Sequence, residues 1–385
     1  GPVLPIGLHL GDLFSKFTRD PDHARRYLES AATVGYRMIQ FWLNLGTLGG
    51  SYWQGREVGP DFTADYYGQL ARFTDLLDTY KLKGVYNLGD WRLLRTSHDD
   101  LWWQVSQILK GRDTAAMLFG GNEAWQTGAT SGDQCWASMA RGSEAGVMRT
   151  STAPPSEHHS DIAAWCRGDM FAIHGYRGGE DHDRLRHIFS VILEGEPPTA
   201  HGYQDEWTGP GSAVSVKPPH CYEGRDVDAN HMCAGAFQSL MCNQAFNYFC
   251  SEGVKSDGDI TKRAGYAEVP KVASLLPIDV HAWPEAIHFG TRFANSRIFE
   301  PVSGNAVRFD HRIAPDGRFV GLLYGDQGQA RVRCVRPCEL TIKHWNGNDE
   351  RTQMFSPGQE WIQDLARSQG GQPGRTALPV VGHLR

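Results

Sequence analysis

Short apolar runs alternate with stretches of helical periodicity from Leu4 to Leu275, and this alternation constrains the fold more than any other feature of the chain. A strand buried on both faces reads as a continuous apolar run, whereas an amphipathic helix repeats its apolar residues every three to four positions. The runs Leu4–Leu10, Tyr36–Leu45, Leu82–Leu88, Thr114–Phe119, Val147–Thr150, Met170–Ile173, Thr199–Gln204 and Ala245–Cys250 read as strands. Between and after them lie helical stretches at Asp20–Gly35, Asp61–Lys81, Asp99–Lys110, Asp133–Glu144, Ser160–Arg167, Asp181–Leu193, Ala229–Cys242 and Val269–Leu275. Asp20 is placed to cap the first of these and Gly35 to stop it. Eight strand–helix units in roughly 275 residues, about 34 each, match a (β/α)8 TIM barrel with parallel pairing and right-handed crossovers. A doubly wound open sheet is the competing architecture, but no phosphate-cradling glycine turn follows the first strand.

The texture changes after residue 280. Short strands at Ala306–His311, Arg318–Leu323, Ala330–Val335 and Glu339–His344 are separated by turn signals such as Pro315-Asp316-Gly317 and Asn346-Gly347-Asn348. The expected organisation is a catalytic barrel over residues 1–280, with residues 1–2 resembling a cleavage scar, and a small C-terminal antiparallel β-sandwich over 281–385. The stretch opening on Ser368 reads as a tail or last loop.

Of 385 residues, 21% are charged and the net charge is −6, so there is no basic excess to neutralise phosphates. Binding to nucleic acid or to an anionic membrane is therefore not expected. No signal peptide or membrane span is read in the sequence. The compartment stays open, with an extracellular or virion-associated setting favoured; oligomeric state is hidden. The eight cysteines read mostly as buried thiols, with Cys221–Cys233 and Cys334–Cys338 as conceivable bridges.

Chemistry is expected where the strands end, because α/β proteins place it at the carboxyl edge of the sheet. The fourth run breaks at Gly120-Gly121 and delivers Asn122, Glu123 and Trp125. The sixth ends in His174-Gly175-Tyr176 and the seventh in Asp205-Glu206-Trp207; His9, Trp42, Trp91, Arg92 and Glu252 follow other runs. Glycosidic bond cleavage needs two carboxyl groups flanking the anomeric carbon, and ends of the fourth and seventh strands face each other across a barrel mouth. Trp42, Trp53, Trp91, Trp125 and Trp207 all fall at or just after strand ends, where flat rings can stack on sugars. His158-His159 beside Glu157 lacks metal-ligand spacing, and no metal or organic cofactor is called for.

These motifs, Gly121-Asn122-Glu123, His174-Gly175-Tyr176 and Glu206-Trp207 with Gly209, resemble those of the clan A glycoside hydrolases, retaining (β/α)8 enzymes that include cellulase-like and xylosidase-like families. The resemblance implies that Glu123 is the general acid/base, that Asn122 holds the substrate 2-hydroxyl, and that Glu206 is the nucleophile with Tyr176 hydrogen-bonded to it. His174 would shape the surroundings of the acid/base. Asp205 is the rival nucleophile. The chain departs from the pattern at Phe249-Cys250-Ser251-Glu252, where an aromatic is usual, and near strand two, where Gln40 and Asn44 stand in place of an arginine that Arg92 could replace. The expected function is retaining hydrolysis of a poly- or oligosaccharide; the alternative is a catalytically inactive carbohydrate-binding barrel within a cell-surface or viral attachment assembly. An anionic polysaccharide is a candidate substrate if Arg92 or Arg177 is not spent on a neighbouring carboxylate.

Overall fold

The structure is a computed structural model that describes residues 6–46, 55–122, 124–153, 165, 169, 171–174, 202–207, 229–241, 244–249, 258–262, 266–284, 297–303, 307–325, 328–365 and 377–385. Its first half runs β1 (Ile6–His9), α1 (Leu13–Arg19), α2 (Pro21–Val34), β2 (Met38–Asn44), α3 (Tyr66–Thr79), β3 (Lys83–Gly89), α4 (His98–Leu109), β4 (Ala115–Phe119), α5 (Ala124–Thr127), α6 (Gly132–Ser138), β5 (Met148–Thr150), β6 (Thr152–Ala153), β7 (Phe171–His174), β8 (Gly202–Trp207), α7 (Ala229–Met241) and β9 (Gln244–Phe249). The strands form one parallel sheet in the order β5-β4-β3-β2-β1-β9-β8-β7-β6. The two ends of that order, β5 and β6, are stretches of one strand parted only by Ser151; β5 pairs with β4 and β6 with β7. Joining them closes a ring of eight strands, the barrel that the alternation predicts.

Two separate cores follow from the period of two along each strand. Ile39, Phe41 and Leu43 of β2 face the helices, where the Phe41 ring lies 4.8 Å from Phe73 of α3 and 4.9 Å from Tyr86 of β3. Met38 of the same strand belongs to the lumen cluster with Val85, Met117, Phe119 and Ala245. Because both faces are buried, β2 shows no amphipathic alternation in its sequence.

Helix α2 has the ends that its sequence predicts. The Asp20 carboxylate accepts the His23 backbone N–H at 3.1 Å, Pro21 opens the helix, and Gly35 closes it at φ 110°. A side chain at that φ would be strained, and an N-terminal proline loses no helical hydrogen bond. The short helix α1 was not anticipated; Leu13, Phe14 and Phe17 lock it against the core, with Phe14 5.5 Å from Phe73.

The C-terminal part is a sandwich of a three-stranded sheet, β10-β13-β16, and a five-stranded one, β11-β12-β17-β14-β15, all antiparallel. The strands are β10 (Phe299–Pro301), β11 (Val307–Ile313), β12 (Arg318–Gly325), β13 (Gly328–Cys334), β14 (Cys338–Lys343), β15 (Asp349–Phe355), β16 (Glu360–Leu365) and β17 (Ala377–Leu384). Its core is aromatic, with Phe299 at 5.1 to 5.5 Å from Phe309, Phe355 and Trp361. The C-terminal residues are not the expected tail or loop: they form β17, an inner strand between β12 and β14. Pro379 and Gly382 read as strand breakers, yet Gly382 is required, since a Cβ there would meet the Phe319 ring and the Glu339 carbonyl oxygen at 2.4 Å. Cys135, Cys233, Cys334 and Cys338 are buried free thiols, and Cys334 donates to the Arg336 carbonyl. Cys221 lies outside the described residues.

Barrel and sandwich meet at α7. Gln238 donates to the buried Asp310 carboxyl of β11 at 2.8 Å, and the Arg312 guanidinium donates to the carbonyls of Met241, Trp283 and Pro284 at 2.7 to 2.8 Å. Burial pushes the Asp310 carboxyl up to about 8, against the opposing pull of Tyr324, Arg308 and Gln238. Among the described residues no helix is long and apolar enough to cross a membrane.

Candidate active site

The residues that end the strands gather into three groups at the carboxyl side of the barrel. On the β1–β2 side, His9 is fully buried with its ring 5.8 Å from Trp42 in an edge-on arrangement. The Gln40 amide nitrogen lies 3.3 Å from a His9 ring nitrogen, and the Gln40 carbonyl oxygen accepts from Asn247 Nδ2 at 3.1 Å. His9, Gln40 and Asn247 thus form a polar layer across β2, β1 and β9. Trp42 is itself almost buried: its ring lies so close over Gly11 that a Cβ there would come within 2.9 Å.

On the β2–β3–β4 side, one glycine knits three strand ends. Gly89 donates its N–H to Asn87 Oδ1 at 3.0 Å and accepts the Asn122 N–H at 2.9 Å, while Asn44 Nδ2 donates to the next carbonyl, that of Asp90, at 2.9 Å. Gly89 has φ 83°, and a Cβ on it would stand 2.2 Å from the Asn44 carbonyl oxygen. Three polar atoms of this group are buried without a partner among the described residues: Asn44 Oδ1, Asn87 Nδ2 and Asn122 Oδ1. Buried amide atoms without partners are costly unless something else satisfies them.

Past β3, Asp90 opens a single helical turn, Trp91–Leu93, and holds the Arg92 guanidinium by two hydrogen bonds of 3.2 and 2.9 Å. Arg92 therefore faces solvent with its charge already met. The Trp91 ring lies 4.1 Å from that of His98, whose proton affinity is lowered by burial, and close to Gly121 and Gly128. Trp125, on α5, stands edge-on to Trp165 at 6.2 Å.

On the third side, β7 and β8 pair so that His174 stands opposite Glu206, and Trp207 of β8 stands opposite Tyr248 of β9. The register shifts on both flanks of β8 at this point, between Ile173 and His174 on one side and between Gln204 and Trp207 on the other. Simple alternation therefore does not decide between Asp205 and Glu206. Glu123, Tyr176, Glu252, Trp53, Arg177 and the Glu157-His158-His159 cluster lie outside the described residues. Among the described residues no group of three or more His, Cys, Asp or Glu side chains is arranged to hold a metal ion.

Two residues of this site escape the reading of strand ends: Asn87 and His98. Asn87 had a legible signal, since it lies in an otherwise apolar strand and in register with Trp42. His98 had none, because it meets Trp91 only when the turn after β3 packs on the start of α4.

No family model matches the chain, and no curated protein matches it by sequence. Solved structures do. A glycoside hydrolase of family 5 from Bacteroides vulgatus aligns over 99% of this chain and 89% of its own, with a TM-score of 0.63 at 10% identity. A family 27 β-L-arabinopyranosidase from Geobacillus stearothermophilus aligns over 99% and 96%, with a TM-score of 0.58 at 8% identity. An α-galactosidase from Mortierella vinacea aligns over 99% and 96%, with a TM-score of 0.54 at 10% identity. At such identities the likeness is one of architecture: the chain shares the barrel-plus-β-domain fold of TIM-barrel glycoside hydrolases.

Proposed function

We propose that this chain is a retaining glycoside hydrolase acting on an oligo- or polysaccharide. Glu206 attacks the anomeric carbon while Glu123, protonated, donates to the departing oxygen; the glycosyl ester formed on Glu206 is then hydrolysed by water that the ionised Glu123 activates. Proximity of two carboxyl groups disfavours simultaneous ionisation, which would keep a proton on Glu123 until Glu206 is esterified.

The observation that carries this reading is the convergence of Asn44, Asn87 and Asn122 where β2, β3 and β4 end, with one amide atom of each unpartnered among the described residues and Glu123 the next residue in sequence. It offers two acceptors and one donor, the chemistry that holds sugar hydroxyls. The register of His174 with Glu206 supports it from the other side of the mouth. The fold likeness to proteins that cleave glycosidic bonds adds weight without assigning roles.

The test is a Glu206→Gln variant assayed on a panel of oligosaccharides alongside calorimetric binding. Turnover should vanish while binding persists. A variant as active as the wild type would overturn the nucleophile assignment, and a wild type that binds sugars without cleaving them would favour the carbohydrate-binding barrel instead.

A further inference from the structure

The sandwich carries two cysteines that its strands bring together. Cys334 ends β13 in the three-stranded sheet and Cys338 opens β14 in the five-stranded one, with Val335-Arg336-Pro337 between them. Both are buried, at 1% and 0% exposure, in the core that holds Phe299, Phe355 and Trp361. The connecting loop is tied to three other segments. The Val335 N–H donates to the Ile298 carbonyl at 2.9 Å, the Pro337 carbonyl accepts from the Arg385 N–H at 2.9 Å, and the Cys334 carbonyl accepts from the Gly358 N–H at 2.8 Å. So held, the two side chains meet: the Cys338 thiol donates to the Cys334 sulfur, and the Cys334 thiol donates to the Arg336 carbonyl at 3.0 Å.

We propose that Cys334 and Cys338 are a disulfide-forming pair, and that its closure by a disulfide oxidant staples the two sheets of the sandwich. Sulfurs already in contact need side-chain rotation rather than backbone movement to bond. A loop fixed by its own hydrogen bonds also loses little freedom when the ring closes. The two thiols are unequal. The hydrogen bond from Cys338 holds the Cys334 thiol below its usual value, while the same bond, with burial, pushes the Cys338 thiol up. Cys334 is therefore the first to attack. Its thiolate displaces one glutathione thiolate from oxidised glutathione, giving a mixed disulfide; Cys338 then attacks the Cys334 sulfur and expels the second. The protein gives up two electrons and two protons, and two glutathione thiols are formed. Because both sulfurs are buried, the first step requires loop 335–337 to open locally.

The experiment equilibrates the full chain with oxidised glutathione, with and without urea below the unfolding transition, then alkylates the remaining free thiols and digests with trypsin. Trypsin cuts after Arg333 and Lys343 but not between Arg336 and Pro337, so residues 334–343 leave as one peptide holding both cysteines. That peptide should be lighter than its reduced form by two hydrogens and carry no alkyl group; after dithiothreitol it should take two. The urea arm opens the loop, so burial alone does not hide the reaction. Two alkyl groups in that arm, glutathione retained on Cys334, or a cross-link from either cysteine to another part of the chain overturns the pairing. Oxidised wild type should melt about 2 °C above the reduced protein, the gain from closing a short ring, and Cys338→Ser should show no such difference. Equal melting of oxidised and reduced wild type, or a shift that persists in Cys338→Ser, overturns the staple.

Discussion

The α-carbon of Gly89 is pressed against the backbone of Asn44, so closely that a β-carbon would stand 2.2 Å from the Asn44 carbonyl oxygen. The obstacle is main chain, which no rotamer change can move aside, and the residue also sits at φ 83°. Gly89→Ala should therefore destabilise the protein by about 3 kcal/mol, combining left-handed strain with overpacking. Urea unfolding measures this, and a change below about 0.5 kcal/mol would show that the three strand ends are not held as described.

Asn122 allows stability and function to be separated. Its Oδ1 is buried and satisfies no group among the described residues, so Asn122→Ala should leave thermal unfolding within about 1 kcal/mol of wild type. Turnover of the sugar substrate should fall by about 10- to 100-fold, as expected when a hydrogen bond to a bound hydroxyl is lost. A large drop in melting temperature with unchanged kcat/KM would reverse the assignment, making the amide structural.

Asp310 gives the contact between α7 and β11 a pH dependence. Its folded-state value lies near 8, raised chiefly by burial from an ordinary 3.8, so the folded state keeps a proton that the unfolded chain releases. The contribution to stability is fully present below about pH 4 and is lost progressively as pH rises toward 8. Asp310→Asn keeps an oxygen to accept from Gln238 and removes the titration. Melting temperatures recorded from pH 5 to 9 should decline less steeply in the variant; parallel profiles would show that Asp310 does not titrate in this range.

Much of this architecture is written in local signals. Asp20, Pro21 and Gly35 mark the ends of α2 because capping chemistry is local, and Asn346-Gly347-Asn348 marks the β14–β15 hairpin because Gly347 needs φ 94°. Strand β2, buried throughout, and β3, buried from Gly84 onward, are legible as apolar runs. What the sequence conceals is set by tertiary packing. Strand β15 carries mostly exposed polar residues, as an edge strand can, and so lacks an apolar run. Strand β17 is hidden by Pro379 and Gly382, and the fit of Gly382 depends on Phe319 of β12, paired with it in space but far away in sequence. Glu123 and Glu206, the proposed catalytic pair, are conspicuous in the sequence as carboxylates that follow apolar runs. Gly89 gains its role only when Asn44 lies beside it.

Under the proposed function, Arg92 bears on the class of sugar accepted. Its guanidinium is paired with Asp90, so together they have no net charge to offer an anionic polysaccharide. Arg92→Gln should leave the ratio of activities on neutral and uronic acid oligosaccharides within about twofold, since an exposed ion pair is worth about 0 to 1 kcal/mol. A selective loss on the uronic acid substrate would mean that Arg92 leaves Asp90 for the ligand.

The two-glutamate account is tested most directly by proton NMR of the first sugar released from an oligosaccharide that the wild type cleaves, recorded before the anomers equilibrate. Double displacement through Glu206 predicts that the initial product has the anomeric configuration of the bond that was cut. An initial product of inverted configuration would contradict it.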